Sequence, residues 1–155
     1  MKLSMGTAAR LPAAVGDVVD GKYRIESVLG VGGMGVVFGA MHVQLRHPVA
    51  LKFLRPEAAV DDVTRARFDR EGRALAQIDS DHVTRIMDVA ALGDGTPYLV
   101  LEYLVGQDLA EVMDRRGAMP IAEAIDCMLE ACDAVAAAHA VGVVHRDLKP
   151  ENLFV

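Results

Sequence analysis

Hydrophobic and polar positions change rhythm along this chain. Residues 1–16 are small and weakly patterned and read as a loose leader. Tyr23-Arg-Ile-Glu-Ser-Val-Leu29 then alternates in part, as a half-buried strand does. The glycine cluster Gly30-Val-Gly-Gly-Met-Gly35 interrupts it, and Val36-Val-Phe38 resumes a β-favouring run. Strand, glycine-rich turn, strand is a hairpin signal. A third strand is expected over residues 49–54, after a polar stretch at 44–48. Between Asp61 and Ile78 the period lengthens: Phe68, Leu75 and Ile78 share one helical face, and Arg65, Arg67, Arg70 and Arg73 keep the rest charged. Residues 86–92 and 98–104 look like two further strands, joined by the turn residues Gly93-Asp-Gly-Thr-Pro97. Five strands and one helix thus complete a small α+β lobe by about residue 104.

The rest of the chain keeps helical spacing. Residues 107–116 predict a short helix ended by Gly117. Pro120 opens a longer one, with apolar Ile121, Ile125, Met128, Leu129, Cys132 and Val135 at helical intervals and Gly142 as terminator. Residues 143–155 carry too many breakers and charges for helix. The expected organisation is a leader (1–16), an α+β lobe (17–104) and the opening of a helical lobe (105–155).

Composition narrows the function classes. The 155 residues hold 16 Lys+Arg against 22 Asp+Glu, a net charge of −6, so no general basic surface suits nucleic acid or anionic lipid. The hydrophobic share of 52% excludes disorder through lack of core-forming residues. The start lacks the apolar run of a secretory signal. The longest apolar stretch, residues 134–144, is interrupted by His139 and Gly142 and falls short of the ~18 residues of a membrane span. Cys127 and Cys132 are five apart in a predicted helix, which turns them about 140° away from each other. They read as free thiols in a reducing compartment, the cytoplasm.

Three features carry candidate chemistry before any resemblance is invoked. Gly30-x-Gly32-x-x-Gly35 lets backbone N–H groups approach an anion unobstructed. A Rossmann site needs a helix after such glycines, and a strand follows here; a Walker loop needs Gly-Lys-Ser/Thr, which is absent. On a strand, Ala50 and Lys52 share a face opposite Val49, Leu51 and Phe53. A small apolar residue beside a lysine suits a face that contacts a base and its phosphates, although a snorkelling edge lysine fits the same pattern. Glu71 stands three residues after Phe68 and four before Leu75, on the expected apolar face. It either reaches water at the boundary or pairs with a cation of the sheet, for which Lys52 is the candidate.

The run His145-Arg-Asp-Leu-Lys-Pro-Glu-Asn152 adds a fourth, longer signature. With Gly30-x-Gly-x-x-Gly-x-Val37 and Val49-Ala-Leu-Lys52 in the same order, the chain resembles the protein kinases. Leu-Lys-Pro-Glu-Asn resembles the serine/threonine type, and Gly-Gly-Met-Gly the eukaryotic-type kinases of bacteria. The likeness runs from about Asp17 to the end.

That resemblance implies a protein-kinase-like fold: an antiparallel first lobe with one helix, then the first helices and catalytic loop of a helical lobe. It implies ATP and Mg2+ as cofactors and Ser/Thr hydroxyls of a protein as substrate. Leu29, Gly30, Val31, Gly32, Gly33, Met34, Gly35, Val36 and Val37 would cover the phosphates, Val37 and Ala50 packing on adenine. Lys52 would hold the α- and β-phosphates and be held by Glu71. Leu101, Glu102 and Leu104 match the gatekeeper and hinge, and Asp108 a ribose contact. Asp147 would accept the hydroxyl proton, Lys149 would steady the γ-phosphate, and Asn152 would bind magnesium. His145 is structural in that scheme; His42, His47 and His82 read as solvated turn residues and His139 as a helix-end residue.

The sequence ends at Leu153-Phe-Val155, and neither Asp-Phe-Gly nor Ala-Pro-Glu occurs in it. The expectation is a kinase-domain fragment that is inactive by itself. The alternatives are a nucleotide- or partner-binding module without turnover and a decayed gene.

Overall fold

A computed structural model describes residues 11–32, 35–55 and 60–155. Six antiparallel strands form one sheet: β1 (Val18–Val19), β2 (Tyr23–Val31), β3 (Gly35–His42), β4 (Pro48–Leu54), β5 (Ile86–Ala91) and β6 (Pro97–Glu102), in spatial order β1-β2-β3-β4-β6-β5. Among the described residues three helices accompany it: α1 (Asp62–Leu75), α2 (Leu109–Arg116) and α3 (Ile121–Ala140). A 3-10 turn follows at Pro150–Asn152.

The expected five strands become six. The addition, β1, is two residues long and pairs Val18 with Arg24 and Val19 with Tyr23. A two-residue strand is too short to show a period. The chain just before it is also engaged: Gly16 N–H donates to the Ile25 carbonyl at 2.9 Å, and Ala13 packs against the core.

Alternation sorts the strands into two faces. Ile25, Val36, Phe38, Val49, Leu51, Phe53, Tyr98 and Val100 are buried together on one face. Phe53 stands edge-on to Phe38 at 5.7 Å between centroids and stacks on Tyr98 at 5.0 Å. The buried Tyr98 hydroxyl donates to Asp20 Oδ2, tying the turn after β1 to β6.

Two histidines differ from their expected solvation. The ring of His42, at the end of β3, stacks on His47 at 5.6 Å and meets Tyr23 edge-on at 5.1 Å. Both are half-buried, because the β3–β4 turn folds back on the first residue of β2.

Helix α1 starts at Asp61, whose carboxylate accepts from Val63 N at 3.3 Å and Thr64 N at 3.0 Å. Its expected face turns to the sheet, but the closest contact is not made by its large residues. Phe68 and Leu75 are half-buried, and the buried helical residue is Gly72, four after Phe68 and three before Leu75 on that face. A Cβ added there would lie 2.6 Å from Leu99 Cδ2 of β6. The helix therefore approaches the sheet along a glycine, which the search for large apolar residues overlooks.

In the second part, Asp108 caps α2 by accepting from Glu111 N at 2.8 Å, and Gly117 ends it with φ 77°. Gly142, also at φ 77°, follows α3. Ala131 and Ala138 are the buried residues of α3, whereas Ile121, Ile125, Met128 and Leu129 are exposed.

Candidate active site

The sheet face opposite the core is assembled by register. Val37 pairs with Lys52 and Lys52 with Leu99; Gly39 pairs with Ala50 and Ala50 with Leu101. Cross-strand partners share a face, so Val37, Ala50, Lys52, Leu99 and Leu101 lie together. Leu29 joins them, since its Cδ2 would lie 3.4 Å from a Cβ at Gly39. Ala50 is buried and Lys52 exposed. An apolar floor thus carries one flexible cation at its edge, a combination that suits a flat base and an attached anion.

The glycine loop is built by close backbone approach. A Cβ at Gly35 would collide with the Phe53 carbonyl of β4, so only glycine lets β3 begin there. Gly32 N–H donates to the Gly35 carbonyl at 2.9 Å. Gly30 and Val31 are exposed. Gly33 and Met34 lie outside the described residues. Val36 departs from the expected set, for alternation buries its side chain in the core and leaves only its backbone to the loop.

Glu71 also stands apart from its expected partner. It is exposed, and its Oε1 lies 3.5 Å from Arg67 Nε, one helical turn earlier. Among the described residues Lys52 makes no ion pair. Glu71 lies at the flank of the face that Phe68, Gly72 and Leu75 turn to the sheet, where an i,i+4 arginine reaches it.

Leu101 and Glu102, expected at a hinge, close β6. Glu102 Oε1 accepts from Arg85 N at 2.6 Å, and its own N–H donates to the Arg85 carbonyl at 3.0 Å. Leu104 is exposed beyond the strand. Asp108 has a structural duty as the α2 cap.

The tightest constellation is the loop 145–152. Lys149 Nζ stands 3.1 Å from Asp147 Oδ2. Asn152 Nδ2 donates to the Asp147 carbonyl at 2.7 Å and to its Oδ2 at 3.3 Å. Asp147 N–H donates to His145 Nδ1 at 3.4 Å, which gives His145 its structural place. Arg146 sits at φ 63°, so the chain reverses just before the aspartate. The Lys149 ammonium holds the Asp147 carboxyl below its ordinary range, with Asn152 and His145 helping, and Asp147 in turn holds the Lys149 amine up. The result is an ionised, exposed carboxylate at neutral pH, fixed from both sides.

Sequence reasoning missed what anchors this loop. Gln107 N–H donates to the Val155 carbonyl at 3.1 Å, Val155 N–H returns to the Gln107 carbonyl at 2.9 Å, and Leu109 N–H donates to the Leu153 carbonyl at 2.7 Å. Such short two-sided pairing leaves no period; Gly106 and the apolar run Leu153-Phe-Val155 were its traces.

A family model described as the protein kinase domain matches residues 23–155. The serine/threonine-protein kinase pkn3 of Myxococcus xanthus is 37% identical over 141 residues, covering 91% of this chain and 26% of that protein. The probable serine/threonine-protein kinase PknB of Corynebacterium glutamicum is 34% identical over 141 residues, covering 89% of this chain and 22% of that protein. The crystal structure of the Mycobacterium tuberculosis PknI kinase domain superposes with a TM-score of 0.79 at 31% identity, over 94% of this chain and 59% of that one. The chain spans about a quarter of the length of these two curated relatives.

Proposed function

Since this chain belongs to the protein kinase domain family, we propose that it supplies the nucleotide face and catalytic loop for ATP-dependent phosphorylation of Ser/Thr hydroxyls on proteins. The observation that carries the proposal is the ordered set Asp147, Lys149 and Asn152 in one loop. Adenine would rest on Val37, Ala50, Leu29 and Leu101, with the hinge backbone at Glu102 and Leu104 beside it. Lys52 would meet the phosphates beneath the glycine-rich turn, and by the family likeness Asp108 would serve the ribose with the carboxylate oxygen that does not cap α2.

Asp147 accepts the proton of the attacking hydroxyl, a role for which a carboxylate kept ionised at neutral pH is suited. Lys149, 3.1 Å away, neutralises one of its oxygens and offers a cation to the transferring phosphoryl.

The fit of Mg2+ can be judged from the donor set. Asn152 spends its amide N–H group on Asp147, which leaves Oδ1 as a hard oxygen of the kind Mg2+ accepts. Asn152 would therefore hold the ion, whose charge offsets that developing on the phosphate oxygens.

No helix among the described residues is long and apolar enough to cross a membrane. The free thiols of Cys127 and Cys132 and the need for ATP together favour the cytoplasm as the compartment.

The test is labelled-phosphate transfer to a generic basic protein by the full-length protein carrying this segment, alongside ATP binding. Asp147→Asn should abolish transfer by orders of magnitude and leave ATP binding nearly intact. ATP binding without Asp147-dependent transfer would instead favour a nucleotide-binding module, and absence of both would overturn the proposal.

A further inference from the structure

The loop that holds Asp147 is pinned at its far end by a short antiparallel pair. Residues 106–109, leaving the hinge, run beside residues 153–155. Asp108 and Phe154 face each other as bridge partners, flanked by the reciprocal Gln107–Val155 hydrogen bonds and by Leu109 N–H on the Leu153 carbonyl. Asn152 is the residue immediately before this pair, and its side chain grips both the carbonyl and the carboxylate of Asp147. A displacement of residues 153–155 must therefore pass through Asn152 to the reacting carboxylate.

Gly106 decides how close the two segments come. A Cβ there would run into the Val155 carbonyl oxygen, the acceptor for Gln107 N–H, and would stand 3.2 Å from Phe154 Cε1. Backbone atoms cannot yield as the end of a flexible side chain can. Any larger residue at 106 must push residues 153–155 away or break their hydrogen bonds.

We propose that Gly106 is a positioning residue for the catalytic loop: its missing side chain lets residues 106–109 clamp residues 153–155, and this clamp sets where Asn152 holds Asp147. The inference rests on the phosphoryl-transfer reading for its consequence, though not for its geometry. The clamp makes the segment after the hinge and the end of the catalytic loop one mechanical unit, so the adenine-side backbone and the metal-side amide keep a fixed relation. Positioning partners of metal ligands commonly change metal affinity by about 10–100-fold, which is the scale expected here.

The test compares Gly106→Ala with Gly93→Ala, a control at a glycine whose added Cβ meets nothing within 4 Å. The first readout needs no nucleotide: NMR of the Asn152 side-chain amide and of the Asp147 carbonyl carbon to which that amide donates. Gly106→Ala should shift both resonances; Gly93→Ala should shift neither. A general loss of stability would lower the melting temperature without selecting these two groups. The second readout is the gain in ATP affinity on adding Mg2+, expected to fall about tenfold in Gly106→Ala while Mg2+-free affinity holds. Should Gly106→Ala fail to fold, Val155→Pro decides, since it removes the Val155 N–H donor without adding bulk at residue 106. Unchanged Asn152 and Asp147 signals in a folded Gly106→Ala, or in Val155→Pro where that variant decides, would overturn the proposal. If ATP fails to bind the wild-type chain, the phosphoryl-transfer reading falls and the nucleotide-free readout still judges the clamp.

Discussion

Lys149 Nζ stands 3.1 Å from Asp147 Oδ2, and the two groups set each other's protonation. The lysine's hydrogen bond is the largest cause of the lowered Asp147 pKa, and the same bond raises that of Lys149. Lys149→Met should therefore move the Asp147 titration upward, toward the ordinary carboxylate value of about 3.9. The sign for stability follows from the depressed folded value. The ion pair contributes above the unfolded carboxyl pKa and is lost as pH falls through the folded one. Carboxyl-carbon NMR on wild type and Lys149→Met checks this; an unmoved Asp147 titration would mean that the ion pair is not maintained in solution.

Gly72 of α1 faces Leu99 of β6 at a spacing that leaves no room for a methyl group. Gly→Ala in a helix normally gains about 1 kcal/mol, whereas overpacking a filled contact costs about 1–3 kcal/mol. Leu99 is 5% exposed and has little space to retreat, so the second effect should win. We expect Gly72→Ala to lose about 1 kcal/mol by urea unfolding. Gly72→Ala with Leu99→Val should recover part of that loss relative to Leu99→Val alone. A stabilised Gly72→Ala would show that the helix sits further from the sheet.

The same contact explains what the sequence could and could not disclose. Glycine spacing, the Ala50-Lys52 pair and the run 145–152 are contiguous, and chemistry that depends on neighbours in sequence is legible there. The strands of the first lobe were legible because alternation separates Val49, Leu51 and Phe53 from Ala50 and Lys52. Helix α1 was legible as a helix and in the face it turns inward, but not in the residue that makes the contact. Phe68, Gly72 and Leu75 share that face, and the closest approach is made by the one with no side chain. The partner of Glu71 was missed because Arg67, one turn earlier on its own helix, pairs with it. Residue β1 pairing and the clamp at 153–155 were invisible for a different reason: two or three residues carry no period, and their hydrogen bonds are backbone only.

Tyr98 and Asp20 supply a test of the first lobe's far end. The phenol is buried and donates to Asp20, and burial first, then that bond, raises its pKa above the ordinary 10.0. A raised folded value means that stability is fully present below the unfolded pKa of about 10 and declines as pH rises beyond it. Tyr98→Phe should cost about 1 kcal/mol at neutral pH through the lost hydrogen bond. Its stability should then fall less steeply than wild type above pH of about 10. Parallel alkaline unfolding curves for the two proteins would remove Tyr98 from the account.

Glu71 lies with Arg67 in this structure, while Lys52 stands without an ion pair among the described residues. Without nucleotide, then, the stability losses of Lys52→Met and Glu71→Gln should add, because no contact joins the two side chains. Arg67→Ala and Glu71→Gln should instead couple by about 0.3–0.5 kcal/mol, as exposed i,i+4 pairs do. Turnover should behave differently. If the bound phosphates draw Lys52 into a unit with Glu71, either substitution breaks that unit and the double variant loses little more than the worse single one. Lys52→Met is expected to lower turnover by orders of magnitude, since positioning the phosphates is most of what this chemistry requires. Arg67→Ala frees Glu71 from its competitor and should leave the Lys52–Glu71 coupling in turnover intact or larger. The decisive measurement is the double-mutant cycle run twice, on urea unfolding of the nucleotide-free protein and on phosphate transfer. Additive losses in transfer would mean that α1 never brings Glu71 to the phosphates, and its pairing with Arg67 would then be the resting place of that side chain in every state.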